Sequence, residues 1–200
     1  MSFSSSLYWE DRYKSGGSSG SGSFGRLARF KANVINGFVR KNEIETVLEL
    51  GVGDGNQLSL AKYPNYVGAD VSSESISECK KRFGGDTSKR FILLGEEKLP
   101  KAELVLSLDV IFHLVEDAVF EKYMFQLFDN ATRFVIIYSS NQKDLGDTSE
   151  HVKHRLFTDW VTSNRTEWNL IKKIENKFPF NPSEPTTTSF SDFFFFEKTT

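Results

Sequence analysis

The chain has few of the features that mark secreted, membrane or nucleic-acid-binding proteins. It contains a single cysteine, Cys79, in 200 residues, so an internal disulfide is impossible. No apolar run approaches the roughly 20 residues needed to span a bilayer, and nothing at the start reads as a basic segment followed by an apolar stretch and a cleavage site. The formal net charge of −2 gives no long-range attraction for nucleic acid or an anionic membrane. These absences predict a cytoplasmic protein with a small-molecule partner, and they leave the oligomeric state open.

The first 25 residues differ from the rest in composition. The aromatic stretch YWEDRYK is followed by a cluster of glycine and serine between Ser15 and Gly25, which resists regular structure. Residues 1–25 are therefore predicted to form a flexible N-terminal segment that acts as a lid, the alternative being a disordered tail. Residues 26–200 are predicted to form one domain, because the length and a hydrophobic content of 38% suit a single core.

Helical and extended patterns alternate after this segment. From Arg26, apolar residues recur at helical spacing with Arg29, Lys31 and Arg40 between them. A second helix follows a Ser75 and Glu78 pair at capping-box spacing, and a third follows Asp117 as the N-cap. The predicted strands are Thr46 to Leu50, Tyr66 to Asp70, Phe91 to Leu94, Leu104 to Leu108 and Arg133 to Tyr138.

The end of the chain breaks this alternation. Leu170 to Glu175 and Phe190 to Glu197 both have the pattern of strands, and the segment between them contains three prolines and no helical period. Strands separated by helices pair in parallel through right-handed crossovers. The predicted fold is α/β: a single doubly wound, mostly parallel seven-stranded sheet with helices on both faces and an antiparallel C-terminal hairpin.

A glycine-rich loop follows the first strand. Gly51, Gly53 and Gly55 precede an apparent helix start at Asn56, and glycine lets the backbone approach a ligand at the carboxyl edge of the sheet. A dinucleotide fingerprint needs a third glycine at position 56, so NAD is disfavoured. Asp70 ends the second strand 21 positions after Glu49, where a carboxylate can accept hydrogen bonds from both ribose hydroxyls. The spacing favours an adenosine ligand.

The segments VLELGVGDG at 47–55, YVGADVS at 66–72 and LVLSLDVIFHL at 104–114 resemble the class I S-adenosylmethionine (SAM)-dependent methyltransferases. This resemblance covers most of the chain and implies SAM as cofactor, with S-adenosylhomocysteine (SAH) as product. It also implies that the family's C-terminal antiparallel hairpin is present. The cofactor-binding residues that it implies are Glu49, Gly51, Gly53, Asp54, Asp70 and Val71, and more loosely Glu96, Leu108 and Asp109. Trp9 and Tyr13 are expected to pack near the cofactor, since many relatives of this kind begin with a Tyr-Trp-Glu segment.

Two histidines are candidates for a catalytic base, because methyl transfer to a hydroxyl requires removal of its proton. His113 follows the fourth strand by five residues and is the leading candidate, the alternative being a core or capping histidine. His154, in HVKHRLFTDW after the fifth strand, is the second. A His-x-x-His pair can bind metal, but no third ligand is in register, so no metal is predicted.

The preferred function is SAM-dependent methylation of an oxygen or nitrogen on a small molecule, such as a sugar or glycan precursor or another metabolite. A nucleic-acid or protein methyltransferase is one alternative. Against DNA amino-methylation, the fourth strand continues as SLDVIF rather than as an Asp/Asn-Pro-Pro-aromatic segment. The other alternative is a SAM-binding sensor or partner protein that transfers no methyl group.

Overall fold

The structure, a computed structural model, describes residues 3–143 and 149–199. Both predicted regions, 1–25 and 26–200, extend beyond the described residues at their outer ends, and the second also contains residues 144–148. The strands are β1 (Thr46–Leu50), β2 (Asn65–Asp70), β3 (Lys89–Leu93), β4 (Ala102–Leu108), β5 (Ala131–Ser139), β6 (Trp168–Ile174) and β7 (Asp192–Lys198). The helices are α1 (Ser5–Lys14), α2 (Gly25–Lys41), α3 (Ser73–Phe83), α4 (Asp117–Asp129) and α5 (Phe157–Asn164).

The strands form one seven-stranded sheet in the order β3-β2-β1-β4-β5-β7-β6. β1 to β5 run parallel, while β7 pairs antiparallel with both β5 and β6. The strand order reverses beside β1, so the carboxyl ends of β1 and β4 flank a crevice, where ligands bind in doubly wound sheets. The predicted fold class is confirmed, including the C-terminal hairpin.

Helices cover both faces of the sheet. α2 and α3 pack on one face through residues such as Ile35, Ile76 and Cys79. α4 and α5 pack on the other through Met124, Phe157 and others. Because the parallel strands are buried on both faces, they are nearly continuous apolar runs. No helix in the described ranges is long and apolar enough to cross a membrane.

Three local predictions were wrong by a few residues. The N-cap of α3 is Ser72, whose side chain accepts from the Ser75 N–H, so Ser75 lies inside the helix and no capping box starts there. The N-cap position of α4 is Glu116, and Asp117 is the first helical residue. The segment after the glycine loop forms a short 3₁₀ turn at Leu58–Leu60 and no α-helix begins at Asn56.

The N-terminal segment contains the helix α1. Its sequence has no apolar face of its own, and it is held by polar contacts at both ends. Ser5 donates from its backbone N–H and its hydroxyl to the Glu116 carboxylate at the start of α4. At the other end, the Ser73 hydroxyl at the start of α3 donates to Glu10 over 2.7 Å. α1 therefore lies over the carboxyl edge of the sheet, above the crevice.

Candidate active site

The glycine loop turns directly beneath the crevice. The N–H groups of Gly51 and Val52 both donate to the carbonyl of Ala69, which ties the loop to β2. Gly51 has φ 89° and Gly53 has φ 59°, conformations that side-chain-bearing residues rarely adopt. A Cβ at Gly51 would also meet the side chain of Val110. Glycine is thus required at these positions, which present backbone without side chains to the crevice.

Glu49 lies on the floor of the crevice near the end of β1. The side chain is 3% exposed, and the Tyr66 hydroxyl donates to its carboxylate over 2.6 Å. Burial raises the pKa of Glu49 to about 7, against the opposing effects of the Tyr66 hydrogen bond and the positive charge of Lys31. The group can therefore change its charge near neutral pH.

Asp70, at the end of β2, is the second buried carboxylate. Its two oxygens accept from the N–H groups of Gly53 and Ser72 over 2.9 and 3.0 Å. Burial raises the pKa of Asp70, while these backbone hydrogen bonds oppose the shift. Each carboxylate oxygen has more than one lone pair, so Asp70 keeps acceptor capacity toward the crevice.

Lys31 is a site residue that the sequence did not reveal. Its side chain is 1% exposed and its Nζ lies 2.7 Å from Asp109 Oδ2. The other Asp109 oxygen accepts from the Ser191 hydroxyl over 2.8 Å. Asp109 itself has φ 58°, a strained conformation for an aspartate that these two contacts hold in place.

His113 ends the short 3₁₀ turn Ile111–His113 after β4. Its Nδ1 lies 2.9 Å from the carbonyl oxygen of His151. A carbonyl can only accept, so Nδ1 carries the proton and the neutral ring has its lone pair on Nε2. Burial lowers the pKa of His113 to about 4, against the opposing effect of that hydrogen bond, so the ring is neutral near neutral pH.

The N-terminal segment closes over the glycine loop through a reciprocal pair of hydrogen bonds. The Ser19 N–H donates to the Asp54 carboxylate, and the Asp54 N–H donates to the Ser19 hydroxyl, each over 2.9 Å. The Tyr13 hydroxyl lies 3.0 Å from the same serine oxygen. A Cβ at Gly53 would clash with Ser19, so this close contact also depends on glycine.

A cavity lies between α1, the glycine loop and the ends of β2 and β4. Its walls include most of the predicted site residues, namely Trp9, Tyr13, Glu49, Gly51, Gly53, Asp70, Val71, Leu108, Asp109 and His113. Trp9 and His113 meet edge to face, with ring centroids 4.8 Å apart. The structure thus brings residues that are far apart in the sequence together in one site.

Three predicted residues do not line this cavity. Asp54 points away, because its carboxylate is engaged by Ser19 and Asn56. Glu96 is exposed beside Ser73, since the chain turns outward after β3, and Leu94 lines the cavity in its place.

His154 is the third. The side chain is buried, with its Nδ1 2.7 Å from the Ser140 hydroxyl and its ring against Phe190. The geometry therefore offers His113, and not His154, to a ligand in the cavity. In the described ranges, no group of three His, Cys, Asp or Glu residues is arranged to hold a metal ion.

Searches by sequence found no matching family model and no matching curated protein. Solved structures do match. The magnesium protoporphyrin IX methyltransferase ChlM from Synechocystis PCC 6803, solved with bound SAM, has a TM-score of 0.69 at 14% identity, over 99% of each chain. The methyltransferase domain of bacterial CtHen1 has a TM-score of 0.65 at 15% identity, over 85% of this chain and 97% of that one. The N-methyltransferase NodS from Bradyrhizobium japonicum WM9, with bound SAH, has a TM-score of 0.67 at 10% identity, over 86% and 87%. The chain has the fold of the SAM-dependent methyltransferases.

Within this methyltransferase fold, several wall residues had given no signal in the sequence. Lys31 has the pattern of a solvent-facing position between apolar residues of α2, and Leu94 has that of an ordinary strand residue. Tyr123 belongs to the apolar face of α4, yet it lines the cavity, and its hydroxyl donates to the Leu50 carbonyl over 2.9 Å and lies 2.7 Å from the Ser107 hydroxyl. Gln57 also lines the cavity. No sequence spacing identifies such residues, because their partners lie far away along the chain.

Proposed function

We propose that the protein is a SAM-dependent methyltransferase that acts on an oxygen or nitrogen of a small molecule. The observation that carries the proposal is the cavity, which joins two buried carboxylates and a glycine-lined wall to a neutral histidine. The fold alone does not establish activity. The residues in the cavity support it.

The cavity residues suit the chemical groups of SAM. Asp70 would accept from the ribose hydroxyls, with Val71 and Leu94 beside the adenine. The amino-acid end would lie on Gly51 and Gly53.

The charges at that end also fit an amino acid. Gln57 Oε1 is a buried acceptor with no protein partner, suited to an ammonium group. Lys31 lines the wall with its ammonium group on Asp109, where a ligand carboxylate would share it, and Glu49 adds a negative charge when it is ionised. When bound, SAM supplies a methyl group on a positively charged sulfur, which is a good leaving group.

His113 would accept the proton of the acceptor. Its Nδ1–H is engaged by the His151 carbonyl, so Nε2 is the basic atom. The low pKa keeps that atom unprotonated at neutral pH. The Trp9 ring packs against the His113 ring and would shield one side of the acceptor from water, which would help to hold the acceptor in line with the methyl group.

A small acceptor fits better than a polymer. α1 lies over the cavity, whose wall residues include the uncharged Ser6, Trp9 and Leu114. A nucleic-acid or protein substrate would need this cover to move aside.

The lone Cys79 is a buried free thiol, which supports the proposal of a cytoplasmic location.

Incubation with methyl-labelled SAM and a panel of small hydroxyl and amine acceptors tests the proposal. We expect SAH to form with at least one acceptor. His113→Ala should keep SAM binding and lower turnover by about 10²- to 10⁴-fold, the range for a general base.

A wild type that does not bind SAM contradicts the proposal. SAM binding without any SAH formation across small molecules, peptides and nucleic acids would favour the sensor. Methylation confined to peptides or nucleic acids would favour the polymer alternative.

A further inference from the structure

The segment that follows β5 returns to the turn that carries His113. We call residues 151–155 the strap, and three of them, His151, Lys153 and Arg155, contact residues between 112 and 117. The His151 carbonyl accepts from the His113 ring, and the Lys153 N–H donates to the carbonyl of Phe112 over 2.7 Å. The strap therefore contacts the histidine and the residue before it.

Arg155 contacts the residues after the histidine. Its Nη2 donates to the carbonyls of Leu114 and Val115, both over 3.0 Å, and its Nη1 lies 2.7 Å from Asp117 Oδ1. The guanidinium also lies 4.5 Å from the ring centroid of Phe120. Since a planar guanidinium has donors in a fixed fork, this one side chain holds two carbonyls and a carboxylate together just after the histidine.

His154 faces the opposite way from its neighbours. It is 6% exposed, and its Nδ1 lies 2.7 Å from the Ser140 hydroxyl just beyond β5. The strap is thus anchored to the sheet on one side while it contacts the His113 turn on the other.

We infer that the strap positions His113 by presenting the His151 carbonyl to Nδ1, so that the lone pair of the ring stays on Nε2. Arg155 and His154 are the positioning residues, because they hold the strap in place. The inference rests on the proposed function for its catalytic meaning. The tautomer and orientation of the ring can be observed without any acceptor.

A matched control exists elsewhere in the chain. Arg165 lies over the ring of Phe125 at 4.6 Å, donates to the Phe125 carbonyl and pairs with Asp129. The side chains of Arg155 and Arg165 are 14% and 13% exposed. Arg165→Met therefore removes similar contacts at a place that does not touch the strap.

The experiment is NMR of the full chain with ¹⁵N-labelled histidine rings, of which there are three to assign. We expect wild-type His113 to carry its proton on Nδ1. Arg155→Met should shift the His113 ring signals toward a mixture of tautomers, Arg155→Lys should restore them in part, and Arg165→Met should leave them unchanged. Thermal melts of the two Met variants should show comparable losses of stability.

Two results overturn the inference. One is a wild-type His113 protonated on Nε2. The other is found if Arg155→Met lowers the melting temperature as Arg165→Met does but leaves the His113 ring signals as in wild type. Arg155 would then only stabilise the fold. SAH calorimetry on the same samples separates the proposed methyltransferase function from the proposed role of the strap. If SAH does not bind, the function is contradicted, while the tautomer of His113 still decides the role of the strap.

Discussion

At the scale of single residues, the account depends first on Asp70. Asp70→Ala should weaken SAM binding by at least about tenfold, because charge-assisted hydrogen bonds contribute about 1.5–3 kcal/mol each. Calorimetry measures the dissociation constant. Asp86→Ala is the matched control, since Asp86 also accepts from the N–H two residues on but is on the surface. An unchanged dissociation constant in Asp70→Ala would remove the ribose assignment.

Glu49 gives a prediction about pH. Its pKa of about 7 in the folded protein lies above the ordinary value of 4.5. The folded chain binds this proton more tightly than the unfolded chain, so protonation of Glu49 adds to the free energy of unfolding. This contribution is complete below about pH 4.5 and is lost as the pH rises to about 7. A shift of this size corresponds to about 3 kcal/mol. Across that pH range, thermal melts of the wild type should show a falling melting temperature, and the fall should be smaller in Glu49→Gln.

The same group should make ligand binding depend on pH in the opposite direction. SAM is positively charged at its sulfur, so it binds the ionised carboxylate better, and its affinity should rise as the pH passes through about 7. Glu49→Gln should flatten this dependence. If the glutamine variant keeps the wild-type slope in calorimetry, another group is responsible.

At the scale of elements, the N-terminal cover depends on the contact between Ser19 and Asp54. Asp54→Ala removes the acceptor for the Ser19 N–H, so residues 5–24 should open more often. If the free energy of opening this segment falls by about 1.4 kcal/mol, its amide exchange should become about tenfold faster. Strands β1 and β4 should exchange as in wild type. Unchanged exchange in α1 would show that its end contacts, through Glu116 and Ser73, hold the cover without this pair.

The elements that the sequence predicted are those with a local pattern. The five parallel strands, α2, α3 and α4 have an apolar period or an uninterrupted apolar run, and each lies within a few residues of its predicted bounds. α1 has no such pattern, because it is held by Glu116 and Ser73, which are distant in sequence. The capping box at Ser75 failed because Ser72, nearer to the end of β2, was an equally good cap.

At the scale of the whole molecule, the topology predicted which regions meet but not every side chain that faces the site. Gly51, Gly53 and Asp70 follow from parallel strands that end at one edge, whereas Glu49 was implied by the family resemblance. Lys31 could not be predicted, because its burial depends on Asp109, 78 residues further along the chain. Glu96 was implied only loosely by the family resemblance, and the turn after β3 carries it out of the cavity.

The central claim is that an adenosyl ligand lies across the carboxyl edge of the sheet, beneath α1. A crystal structure of the protein soaked with SAH tests this most directly. The account predicts the ribose on Asp70, the amino-acid end against Gly51 and Gly53, and the sulfur directed toward His113. A fully occupied ligand bound elsewhere, or a crevice that stays empty at saturating SAH, would contradict it.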